Sequence, residues 1–141
     1  SNELFVLNTS SLTWSQPLAS GQPPSPRMHH SMVCEGKNIY IYGGETESGY
    51  QNDLYLLDVS SCTWKLLETN GTKPWPRWTP AMATHSGSIL LFGGYGIHGY
   101  SNELYLLDTE QMSWRVAQVS GSIPSPRSES AMAVINDMLY V

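Results

Sequence analysis

An all-β chain assembled from a repeated unit is what this sequence predicts, and three observations carry the prediction. Nine columns are identical, without a gap, in three units offset by 50 residues. Short runs rich in Val, Ile, Leu, Tyr and Trp alternate with stretches of Gly, Pro, Ser and Asn, the pattern of strands and turns. No stretch offers an apolar helical face bounded by caps.

The nine columns run in order along each unit. They are Asn2/Asn52/Asn102, Leu4/Leu54/Leu104, Leu7/Leu57/Leu107, Trp14/Trp64/Trp114, Gly21/Gly71/Gly121, Pro24/Pro74/Pro124, Pro26/Pro76/Pro126, Arg27/Arg77/Arg127 and Met32/Met82/Met132. Glycine pairs, Gly43-Gly44 and Gly93-Gly94, complete the first two units. The repeats are therefore about 1–50, 51–100 and 101–141, in one region covering the chain.

Each unit reads as four short strands. The first is expected over His30 to Cys34, and the second over Asn38 to Tyr42, stopping at the glycine pair. The third, Asp53 to Leu57, alternates as a strand with two faces does, and the fourth surrounds Thr63-Trp64-Lys65. Cys34 is placed within a strand and Cys62 at the start of another, both as small packed thiols, which favours a reducing compartment.

Composition excludes several functions. The net charge is -5, the sequence pI is near 5.2, and only seven Lys and Arg are scattered along the chain, so no basic nucleic-acid surface is expected. No apolar run approaches the ~20 residues of a bilayer span. Two cysteines and four histidines supply no metal-ligand spacing; His29 and His98 could approach one another between units, but two ligands do not make a site. Neither a phosphate-binding glycine loop before a helix nor a Gly-x-Ser-x-Gly elbow occurs. No metal, cofactor or catalytic residue is expected.

The order Pro26-Arg27, then Ile39-Tyr40-Ile41-Tyr42-Gly43-Gly44, then Asn52-Asp53-Leu54-Tyr55-Leu56-Leu57-Asp58, then Thr63-Trp64, resembles the kelch motif, and the resemblance covers the whole chain. It implies that each motif is one four-stranded antiparallel blade of a β-propeller, with two complete blades and two half-blades in this chain. It also implies a segment of a longer propeller of six or seven blades; the alternative is two copies interlocking their half-blades into one ring. The long proline-rich linkers, such as 21–27, resemble those of intracellular multi-kelch proteins.

The function implied is that of a scaffold or adaptor binding a protein or peptide within a larger complex, in the cytoplasm or the nucleus. Two alternatives stand beside it: a kelch-fold enzyme with its catalytic site in other blades, or an architectural subunit. Antiparallel order places the linkers 18–29, 68–79 and 118–129 on the same side as the loops 45–51 and 95–101, opposite the tight turns 35–37 and 86–88. Long loops on a rigid scaffold carry function. A residue required by every blade should recur, whereas one recruited for a partner need not. Candidates on the long-loop side are therefore Trp75, Trp78, Tyr95, His98, Met28 and His29, which do not repeat. Arg27, Arg77 and Arg127 recur; they are expected to brace neighbouring loops and to be available to acidic groups of a partner.

Overall fold

A computed structural model describes all 141 residues. It contains strands and turns and no helix. Strands β1 (Val6–Asn8) and β2 (Thr13–Ser15) form an outer half-blade. The first whole blade consists of β3 (Ser31–Glu35), β4 (Asn38–Tyr42), β5 (Leu54–Asp58) and β6 (Thr63–Leu67). The second comprises β7 (Ala81–His85), β8 (Ser88–Phe92), β9 (Leu104–Asp108) and β10 (Ser113–Val116). An inner half-blade, β11 (Ala133–Ile135) and β12 (Met138–Tyr140), follows.

Within each whole blade the four strands are antiparallel neighbours in chain order. The innermost strands of successive units adjoin one another, β3 beside β7 and β7 beside β11, as in blades arranged around a common axis. In the first whole blade the strands lie within one or two residues of expectation. The first opens at Ser31, which pairs with Tyr42, rather than at His30, and the third begins at Leu54 because Asp53 is held at its approach.

The first whole blade has two apolar faces because it is covered on both sides. Tyr40, Tyr42, Leu54 and Leu56 meet Ile89, Leu91, Tyr105, Leu107 and Trp114 of the next blade in one buried cluster. The other face of the first blade, Ile41, Tyr55, Leu57 and Trp64, packs with Leu4 and Ala19. Side chains alternate across each strand, so the same period of two supplies both interfaces. Trp64 and Trp114 are 6% and 2% exposed, whereas Trp14, in the outer half-blade, is 66% exposed.

Three recurring contacts explain conserved columns within the chain. Asn2, Asn52 and Asn102 each donate from Nδ2 to the carbonyl of Pro24, Pro74 or Pro124, at 3.2, 3.3 and 3.1 Å. Asn8, Asp58 and Asp108 cap the backbone of the turn before the last strand of each unit. Leu12, Cys62 and Met112 close that turn with positive φ. Cys62 thus belongs to the turn rather than to the strand, because the pairing begins at Thr63. Cys34 does lie in β3, but its thiol side is exposed rather than packed.

One element was not expected. Ser20–Gly21 pairs in parallel with β6, and Asn70–Gly71 with β10, so the first two linkers each add a short fifth strand outside the blade they lead into. Asn70 N–H donates to Met112 and Thr72 N–H to Trp114, both at 2.9 Å. Gly71 has φ +75, and a Cβ there would lie 2.2 Å from the Trp114 carbonyl oxygen. Gly21 makes the same approach to the Trp64 carbonyl oxygen, at 2.1 Å, and the approach requires glycine at both positions.

Candidate functional site

The linker into each blade and the loop between its second and third strands meet on one side of the molecule. In the second blade Arg77–Trp78, Tyr95–Gly96 and Gly99–Tyr100 form a three-stranded ribbon, with Trp78 opposite Tyr95 and Tyr95 opposite Tyr100. The first blade repeats the arrangement: Met28 bridges Glu45, and Glu45 lies opposite Tyr50. Two rows result, Met28–Glu45–Tyr50 and Trp78–Tyr95–Tyr100, in matching register. Cross-strand neighbours of this kind bring side chains within contact.

Trp78 joins the rows. Its ring centroid lies 4.9 Å from that of His29, 5.3 Å from Tyr50 and 5.7 Å from Tyr95; Tyr95 is 4.9 Å from Tyr100. Five rings from four loops of two blades thus form one contiguous group. Trp75 stands apart on the same ribbon's flank, edge-on to His98 at 5.1 Å. Trp75 is 58% exposed and Tyr100 is 61% exposed; Met28, His29 and His98 are also exposed, while Trp78 and Tyr95 are half-buried. Between Trp75, Arg77, His98, Tyr100 and Glu103 runs an open cleft of about 310 Å³.

The candidates that do not repeat therefore fall into two groups, Trp78 with Tyr95 and His29, and Trp75 with His98. The row itself also contains Tyr50 and Tyr100, which recur from unit to unit. In each ribbon the same column supplies a ring to the group.

The arginines brace the loops from within. Arg27, with its side chain 4% exposed, grips Asp53 through both Nη atoms at 2.6 and 2.9 Å and donates to the Gly43 carbonyl at 2.9 Å. Arg77, equally buried, donates to Gly93 and Trp75 carbonyls at 2.9 Å and stands 3.7 Å from Glu103. Each guanidinium lies 5.2 Å over a ring of its own blade, Tyr55 or Tyr105. Arg127 turns its Nε and Nη2 to Ser125. Neither Arg27 nor Arg77 is free to receive an acidic group from outside, which corrects the expectation of availability. The signal lay in the sequence: the column Glu3, Asp53, Glu103 is acidic throughout.

Electrostatics follow from this burial. The Tyr105 phenol is pushed above its ordinary value by burial and by its 3.0 Å hydrogen bond to the Glu103 carboxylate. Burial pushes the Tyr42 phenol up much further, so it stays protonated and donates to the Pro74 carbonyl at 3.2 Å. His30 is held below its ordinary value by desolvation, with Arg27 adding to the effect. Backbone strain accompanies the ribbon: His29, Thr79 and Glu129 share one column and all have positive φ, at 60, 46 and 58°. For a β-branched residue such as Thr79 this is an outlier. Its N–H donates to His29 O at 2.7 Å, while its Oγ1 is buried without a partner. No three His, Cys, Asp or Glu side chains converge to form a metal-holding group.

A family model described as the KLHDC2/KLHL20/DRC7 Kelch-repeats domain matches residues 1–141. The chain belongs to the kelch-repeat family. Among curated kelch proteins, the cattle protein named Rab9 effector protein with kelch motifs is 50% identical over 42 residues, 30% of this chain and 11% of the relative. The fruit-fly host cell factor is 45% identical over 42 residues, 30% of this chain and 3% of its own length. Cattle Kelch domain-containing protein 2 is 33% identical over 51 residues, 36% of this chain and 13% of the relative. The matched stretches are thus a small part of these longer proteins. No helix is long and apolar enough to cross a membrane.

Proposed function

We propose that this kelch region is a protein-interaction module that binds a loop or peptide of a partner through its long-loop face. The observation that carries the reading is the contiguous group of rings contributed by loops of two different blades. A surface made jointly by adjacent blades is fixed by the blade seam, so its rings are pre-ordered before a partner arrives. Rigid aromatic anchors bury much area at little conformational cost and dominate binding energies. Trp75, Trp78, Tyr95 and His98 are the anchors in this reading, with Met28 and His29 at the adjoining rim; Arg27, Arg77 and Arg127 position the loops. Relatives whose names state a protein partner, such as the Rab9 effector, support the same class of function. The reading extends to a scaffold or adaptor in a larger complex, to a propeller of six or seven blades, and to the cytoplasm or nucleus.

The test is Trp75→Ala and Trp78→Ala in the full chain, with affinity for a partner peptide recovered by display and measured by calorimetry. Trp75 is exposed and tests binding without loss of core packing. Each anchor is expected to cost about 2 kcal/mol, or about thirtyfold in Kd, while thermal unfolding stays cooperative. Unchanged binding by both folded variants would refute the assignment of this face.

A further inference from the structure

We infer that the long-loop face takes a basic segment, with an arginine or lysine of the partner lying against the rings of Trp78, Tyr95, Tyr100 and Tyr50 and neutralised by Glu45 and Glu47. This rests on the reading that the face binds a protein, and it names the chemistry of that partner.

The argument starts from charge that has no counterpart. The chain's ion pairs are Arg27–Asp53, Arg77–Glu103 and His85–Asp137. Glu45 and Glu47, on the hairpin that carries Tyr50, belong to none of them, and neither side chain makes a hydrogen bond. Glu45 lies directly opposite Tyr50, whose ring touches Trp78, so its carboxylate flanks the aromatic group. Arg27 and Arg77, on the linkers of the same face, are buried, held by backbone carbonyls and paired with Asp53 and Glu103.

The face therefore combines half-buried and exposed π-surface with uncompensated carboxylates. A cation over a Trp or Tyr ring is attracted by the ring quadrupole, and the attraction grows as water is excluded. An apolar or acidic partner would desolvate Glu45 and Glu47 without pairing them, which disfavours it. A guanidinium satisfies both demands, since it stacks on rings and forks onto carboxylates. The column substitution that puts Glu45 in one row and Tyr95 in the other makes the pair asymmetric: one row is anionic, the next aromatic.

The experiment is selection of random twelve-residue peptides on the full chain, followed by affinity measurement of the enriched sequences and their Arg→citrulline or Lys→norleucine versions. Basic enrichment is expected, with a loss of about tenfold on neutralising the key residue. The paired substitution Glu45→Gln and Glu47→Gln, which preserves shape, is expected to weaken binding several-fold, and raised salt to act in the same direction. Enriched peptides that are acidic or neutral, or that tolerate citrulline and E45Q/E47Q, would overturn the basic-segment assignment; if they still depend on Trp75 or Trp78, the protein-binding reading survives. Peptides indifferent to both tryptophans, or no enrichment above the bare support, would overturn both.

Discussion

Replacing Gly71 by alanine separates the two reasons a glycine can be needed. Gly71 has φ +75, and Gly87, in the tight turn of the same blade, has φ +73. The left-handed backbone costs an alanine about 1 kcal/mol at either position. Their surroundings differ. A Cβ at Gly87 meets nothing within 4 Å, whereas one at Gly71 would sit 2.2 Å from the Trp114 carbonyl oxygen. That is about 1 Å inside ordinary contact, so the linker must lift from β10. Lifting it loses the Asn70 N–H to Met112 and Thr72 N–H to Trp114 bonds, each worth about 1 kcal/mol net. Gly71→Ala is therefore expected to cost about 3 kcal/mol and Gly87→Ala about 1 kcal/mol. The assay is urea unfolding followed by tryptophan fluorescence, with ΔΔG taken from midpoints at unchanged slope. Equal costs for the two variants would refute the claim that the close approach dictates glycine at this position.

Further expectations concern the loops. The Pro74 carbonyl accepts from both Asn52 Nδ2 and the Tyr42 hydroxyl, so N52A and Y42F each leave it one donor. The double variant strips it, and a double-mutant cycle should show a coupling of about 1 kcal/mol beyond additivity. Arg27→Lys cannot fork onto Asp53 and still reach the Gly43 carbonyl, and should destabilise by about 2 kcal/mol in the same unfolding assay. Thr79→Gly relieves a β-branched residue at φ 46° and removes an unpartnered hydroxyl; a gain of about 1 kcal/mol in unfolding free energy is expected, and a loss would contradict the strain.

Part of this was readable in the residues and part was not. The all-β class, the strands of the first whole blade to within one or two residues and the shared side of the long loops followed from period-two alternation and from antiparallel order. The parallel fifth strand did not, because Ser20–Gly21 and Asn70–Gly71 have no alternation; only the invariant glycine hinted at them. Cys62 was misplaced by one position because a left-handed turn residue carries no mark when it is not glycine or asparagine. Trp75 and Trp78 stood out as unrepeated aromatics, but their division into separate groups depended on the ribbon. Comparison between repeats does not single out Tyr50 and Tyr100, which form the ends of the rows, because they recur.

The sequence alone determined the repeat, the strand order within each blade and the chemistry of each face, since these depend on local period and on neighbours along the chain. Tertiary structure decided which side chains remain available. Arg27 and Arg77 sit on loops like Trp75 does, yet two carboxylates some 26 residues further along the chain, together with carbonyls across the turn, draw their guanidinium groups inward. Burial depends on which distant loops converge, and convergence at a blade seam is not written in any single stretch of sequence.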